Sequence, residues 1–176
     1  MIESFKNTLE LFPAGLVYVG LGIIVLILAK IGQDVITPYK INDQLSHKDN
    51  VALGLSITGY YLGVIAVFLG SLYQPVMTVV DIQWWEQFDG DFGLDVLEVF
   101  LYSLAGILVL NVARIIVDRF VLFKFDTEKE IVDNHNVGSG AVELGVYVAV
   151  GLVIAGAIAG TGADGGEVEI IDGLIR

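Results

Sequence analysis

The chain has 176 residues, 55% of them hydrophobic and only 17% charged, with 9 basic against 21 acidic side chains for a net charge of −12. That balance excludes general disorder, weighs against an ordinary soluble domain and disfavours nucleic acid as a partner. The absence of cysteine removes disulfides, thiolate nucleophiles and Cys-ligated metals.

Residues 1–12 carry Glu3, Lys6 and Glu10 and read as an N-terminal outer segment. The first apolar block, 13–32, has no charge until Lys30. It lacks a basic leader and a small-x-small cleavage site, so it reads as a retained membrane helix. Pro13 suits the first helical position, where its missing N–H is harmless. The second block, 50–73, has no charge at all, and Asn50 before it is a candidate N-cap, with ligand contact in the basic loop as the alternative. Gly59 and Gly63 form a G-x-x-x-G step with Gly70 two turns on, a face that lets helix backbones approach. Residues 13–73 thus form a first two-helix unit.

Residues 74–94 mix apolar side chains with Trp84, Trp85 and the acids Asp81, Glu86, Asp89 and Asp91. Trp84 and Trp85 are expected to anchor a short amphipathic helix or turn at headgroup level. A docking surface for an envelope protein partner is the alternative. The third block runs from about Asp95 to Phe123 and the fourth from 137 to 160, giving a second unit over 95–160. A Gly-rich acidic tail, 161–176, completes the chain. Each block is long enough to cross roughly 30 Å of hydrocarbon at about 1.5 Å per residue.

Asn111, Arg114 and Asp118 are spaced i, i+3, i+7 and share one face of the third block. Glu143 lies about 10 Å inside the fourth block if that helix starts near Asn136. Arg114 and Glu143 therefore fall at similar depth, and an isolated charge there is unfavourable by several kcal/mol. Pairing of Arg114 with Glu143 is expected, with Asn111 or Asp118 completing the hydrogen bonds. The cluster is either a structural clasp or part of an ion or proton path. Gly145 with Ala149, and Gly156 with Gly160, repeat the small-residue step as further candidate packing faces, and Asn136 is a second candidate cap. His47 and His135 are lone loop histidines without the partners a metal needs. No phosphate-binding glycine loop, serine elbow or H-E-x-x-H is present, so no cofactor, metal site or catalytic set is expected.

The two units resemble each other. A shift of 84 pairs Tyr18 with Tyr102, Gly22 with Gly106, Lys30 with Arg114 and Asp34 with Asp118. A shift of 86 pairs Asn50 with Asn136, Gly59 with Gly145, Tyr61 with Tyr147 and Gly70 with Gly156. Two crossings per unit imply a parallel repeat about a pseudo-twofold axis along the membrane normal. The expected fold is an all-α integral membrane protein of four transmembrane helices in two helical hairpins. Lys30, Lys40, Lys48, Arg114, Arg119, Lys124 and Lys129 all lie in or beside the two connections within the units. By the positive-inside rule those connections face the cytoplasm, and both termini and the acidic central segment face outward.

The segment ITPYKINDQLSHKDNVALGLSITGYYLGVIAVFLGS, 36–71, resembles the first repeat of the DUF350 family of bacterial inner-membrane proteins. The likeness is carried by Thr37-Pro38-Tyr39 after the first helix and by Asn50-Val51-Ala52 at the start of the next. The second copy keeps Asn136 but has Gly138 and Gly140 in place of an Ala-rich start. The resemblance covers roughly residues 10–160 and implies two two-helix units in the bacterial inner membrane. It supplies no catalytic residues, and the family's gene neighbourhoods hint at envelope systems by association only. Three function classes remain: an oligomeric membrane scaffold or partner subunit, a homo-oligomeric channel or small transporter, and a membrane enzyme acting through Glu143, Arg114 or Asp118. The first is favoured, with membrane lipids and further copies of the chain as the expected partners.

Overall fold

A computed structural model describes residues 2–77, 92–120 and 126–161. Trp84, Trp85 and the tail beyond Thr161 lie outside the described residues, and the Asp118 side chain does also. The described part contains six helices and no strand: α1 (Ile2–Ile36), α2 (Ile41–Ser46), α3 (Val51–Met77), α4 (Phe92–Phe120), α5 (Thr127–Val132) and α6 (Val137–Thr161). Four of them contain apolar spans of 23 to 25 residues, Phe12–Ile36, Val51–Tyr73, Phe92–Ile116 and Val137–Gly160. At about 1.5 Å per residue each exceeds the thickness of a bilayer's hydrocarbon core. Their outer faces are large and apolar, as at Val19, Ile23, Ile27, Leu108, Val112 and Val153. Water would penalise such a surface, whereas lipid does not.

The helix ends follow from local chemistry. α1 begins at Ile2 and holds Pro13 inside it, so Pro13 does not open the helix. α1 stops before Thr37-Pro38, because the residue preceding proline is driven out of helical conformation. The Thr37 amide and hydroxyl both donate to the Gln33 carbonyl, at 3.0 and 2.9 Å, closing the last turn. The basic connections are not plain loops, since each folds a six-residue helix, α2 or α5. Asp49 and His135, 86 positions apart, both adopt positive φ, 47° and 51°. Next in each chain segment comes an asparagine cap. Asn50 Oδ1 accepts from the Leu53 amide at 3.0 Å, and Asn136 Oδ1 accepts from the Gly138 and Ser139 amides at 3.0 and 3.3 Å.

Within each hairpin a glycine seats the same partner position. Gly22 of α1 faces the Phe68 ring on α3, and Gly106 of α4 faces Ile154 on α6, as well as Val67 and Ile158. The core joins all four long helices through Val25, Ala29, Tyr60, Val64, Leu110 and Tyr147. A second cluster of Ile41, Ala52, Leu53, Ile57 and Ile131 packs the short helices against the start of α3.

The central contact is between α3 and α6, which run in the same direction. Ala52 meets Gly140, Gly59 meets Leu144, Gly63 meets Tyr147 and Gly151, and Gly70 meets Ala155. A Cβ added at Gly59, Gly63, Gly70, Gly140 or Gly151 would lie within 3.0 Å of the other helix's backbone. This is the close approach that small residues permit in lipid, where dispersion replaces the hydrophobic effect. A twofold contact would place Gly59 on its equivalent Gly145, but Gly59 lies on Leu144. The α3 face is therefore matched with a different face of α6, rotated by about one residue's turn or more.

Candidate functional site

The polar residues of the membrane interior gather where α3, α4 and α6 meet beside the basic connections. Arg114 comes from the last turns of the α4 span and Glu143 from the second turn of α6. Arg114 Nη2 lies 2.8 Å from Glu143 Oε1, with side-chain exposures of 18% and 3%. The guanidinium also stands 5.6 Å from the centre of the Tyr147 ring, within cation–π range, and acts electrostatically on the Tyr39 hydroxyl. Tyr39 lies just outside the α1 span. Burial raises its pKa to about 12, against the opposing pull of Arg114.

The network continues into the core. Tyr147 packs edge-on to Tyr60 with centroids 5.3 Å apart. The Tyr60 hydroxyl donates to the Ala29 carbonyl and accepts from Asn111 Nδ2, both at 3.3 Å. Asn111 Nδ2 also donates to the Ile107 carbonyl at 2.8 Å. Of the four residues in the expected cluster, Arg114 and Glu143 pair directly, whereas Asn111 bonds Tyr60 and the Ile107 carbonyl and does not complete the hydrogen bonds of the pair. The arrangement balances a buried cation with a buried anion and surrounds both with aromatic rings. A pair held in this way gains from low dielectric only because each charge has its partner.

The matching position in the first half lacks the pair. Ile57 stands where α6 has Glu143, and Ile57 is buried. Lys30, the counterpart of Arg114, turns to its own helix and bonds Asp34 at 2.7 Å, both about half exposed.

Two further features lie in the basic connections. Asn50 is 1% exposed and does more than cap α3, since its Nδ2 donates to the Ile131 carbonyl at 2.8 Å and to Gln44 Oε1 at 3.3 Å. That bond ties the two halves together, and nothing in the sequence marks it, because a backbone carbonyl has no residue signature. Asn136 Nδ2 instead reaches Glu130 Oε2 within its own half, at 2.9 Å. Between the end of α1 and α2 there is an open pocket of about 490 Å³, whose lining includes Asp34, Tyr39, Lys40, Asp43 and His47. Ser46 Oγ and Asp43 Oδ1 approach His47 at 3.0 and 3.2 Å, both at Nδ1. A serine–histidine–acid relay needs the hydroxyl on one ring nitrogen and the carboxylate on the other, so this trio does not form one. No group of metal-ligating side chains occurs among the described residues.

The small residues divide. Gly59, Gly63 and Gly70 pack on α6, while Gly145, Gly156 and Gly160 have nothing within 4 Å and Ala149 is exposed. The α6 residues that meet α3 lie on the neighbouring stripe, Gly140, Leu144, Tyr147, Gly151 and Ala155. The stripe expected from the G-x-x-x-G spacing is therefore not the one used inside the chain.

A family model described as Domain of Unknown Function (DUF350) matches residues 7–158. No curated protein and no solved structure matches the chain.

Proposed function

The chain belongs to the DUF350 family, and from that premise we propose that it is a non-catalytic, oligomeric scaffold or subunit of an envelope-associated system in the bacterial inner membrane. The two hairpins are copies of one unit. The shared order of long, short and long helix supports this, as do the positive φ at Asp49 and His135 and the Gly22–Phe68 and Gly106–Ile154 contacts. The basic connections face the cytoplasm, where their lysines and arginines favour that side, and the acidic segments face outward.

The observation that carries the scaffold reading is the closure of the polar cluster. Arg114 is taken up by Glu143, Tyr39 and the Tyr147 ring, and directly beside it α3 and α6 touch backbone to backbone. Opposite charges paired with one another hold helices in register, whereas a conducting path needs polar groups turned toward water. Ion flux into liposomes carrying the purified oligomer tests this. The expected flux equals that of protein-free vesicles, for the natural chain and for E143A alike. Flux that depends on Glu143 would overturn the scaffold in favour of a channel.

A further inference from the structure

The connection between α1 and α2 folds around an open pocket of about 490 Å³, within the roughly 300–1,000 Å³ of ordinary ligand sites. The apolar span of α1 ends at Ile36, and the pocket lining runs from Asp34 to His47. The pocket therefore opens at the level where hydrocarbon gives way to lipid headgroups. Its lining is polar and of both signs. Asp34 and Asp43 supply carboxylates, Lys40 an ammonium, and the buried Ile41 an apolar wall. Among the described residues, Asp34 is engaged through Oδ2, by Lys30 at 2.7 Å, and Asp43 through Oδ1, by His47 at 3.2 Å. The Lys40 ammonium has no ion-pair partner among them.

The approach to this pocket from the membrane is apolar. Ile27, Ile31 and Asp34 are spaced i, i+4 and i+7 and share one face of α1. Ile27 and Ile31 are 53% and 52% exposed, and Val35 beside Asp34 is 79% exposed. An apolar strip thus runs along α1 and ends at a pocket carboxylate. Ile57 offers Lys30 no acid inside the bundle, so Lys30 stays at the rim with Asp34, within electrostatic reach of Tyr61 on α3.

We propose that the pocket binds the headgroup of an amine-bearing phospholipid, a phosphatidylethanolamine, whose acyl chains lie along Ile27 and Ile31. A lining of both signs calls for a headgroup of both signs. The Lys40 ammonium takes the phosphate, and the open oxygens of Asp34 and Asp43 take the primary ammonium, whose three N–H donors suit two carboxylates. A purely anionic headgroup would set its charge against both acids, and a quaternary ammonium has no N–H to donate. A soluble ligand of the same headgroup chemistry would leave the strip of Ile27, Ile31 and Val35 unused. The inference goes beyond the scaffold reading, since it requires neither an oligomer nor a particular side of the membrane.

Native mass measurement of the full chain, released from nanodiscs of equal parts phosphatidylethanolamine, phosphatidylcholine and phosphatidylglycerol, tests this. One phosphatidylethanolamine should stay bound per chain, preferred over phosphatidylcholine by about tenfold, the worth of a charge-assisted hydrogen bond. Those two lipids share the phosphate and the net charge, so the preference reads the amine. D34N/D43N should abolish the preference, and K40M should lower the retention of both lipids. All three side chains are exposed, so circular dichroism should show the natural helicity in each variant. Phosphatidylcholine or phosphatidylglycerol retained as well as phosphatidylethanolamine by the natural chain would overturn the proposal. So would an undiminished preference in D34N/D43N, or unchanged retention in K40M. Glycerophosphoethanolamine, the headgroup without acyl chains, should compete at least about a hundredfold more weakly than the lipid, because it brings no methylenes to Ile27 and Ile31. Equal competition would assign the pocket to a soluble ligand and overturn the lipid reading.

Discussion

Arg114 Nη2 and Glu143 Oε1 stand 2.8 Å apart across the α4–α6 contact, in a site where Glu143 keeps 3% of its side-chain surface. Removing one partner leaves the other as an uncompensated charge in an apolar surround, which typically destabilises by about 3–5 kcal/mol. E143Q and R114M are each expected to lower the thermal midpoint strongly in detergent. Replacing both with well-packed apolar residues, as in R114M/E143M, should recover most of the loss, because desolvation of two ions is relieved together. A double variant no better than the singles would show that the pair also organises its neighbours.

Asn50 and Asn136 look alike in the sequence, but their amides do different work. Asn50 joins the halves through the Ile131 carbonyl, whereas Asn136 stays within its own half and is exposed. Loss of a cap is worth about 1 kcal/mol, and a buried carbonyl left without its donor adds about 1–3 kcal/mol. N50A should therefore lose about 2–4 kcal/mol and N136A about 1 kcal/mol in denaturant unfolding. Equal losses would mean that the Ile131 bond contributes nothing.

Burial holds the Tyr39 phenol un-ionised, its pKa raised from 10.0 to about 12 against the opposing Arg114 guanidinium. Below pH 10 both folded and unfolded chains keep this proton, so it adds no pH dependence there. Between pH 10 and about 12 the unfolded chain releases it and the folded chain retains it, so stability falls as pH rises through that window. Y39F should show a shallower decline over that range than the natural chain. Superimposable curves would place the Tyr39 hydroxyl in water.

Charge placement and apolar length made the spanning helices and the Arg114–Glu143 pair legible in the sequence. A charge inside an apolar block must find its opposite, and Glu143, the only charge of the fourth block, lies at a depth like that of Arg114. The α3–α6 register was not legible for a physical reason. Gly59, Gly63 and Gly70 and their copies Gly145, Ala149 and Gly156 present the same small-residue spacing. A contact between unlike faces uses only one of two such stripes, and spacing cannot say which. Asn50 illustrates the other limit, since its decisive partner is a backbone carbonyl.

Gly63 and Gly145 separate the used stripe from the unused one by the sign of a single methyl group. In a helix exposed to its surroundings Ala is favoured over Gly by up to about 1 kcal/mol. At Gly145 nothing lies within 4 Å, so G145A should leave the detergent-dispersed monomer as stable or slightly more so. At Gly63 a Cβ would stand 2.7 Å from the Tyr147 carbonyl oxygen, and α6 cannot withdraw there without opening its contacts at Gly59 and Gly70. Overpacking of this kind costs about 1–3 kcal/mol, which outweighs the helical gain. G63A should therefore lower the unfolding midpoint while G145A does not, measured on the same monomeric preparation. Matching losses at both positions would mean that α6 presents its other stripe to α3, and the unlike-face contact would be wrong.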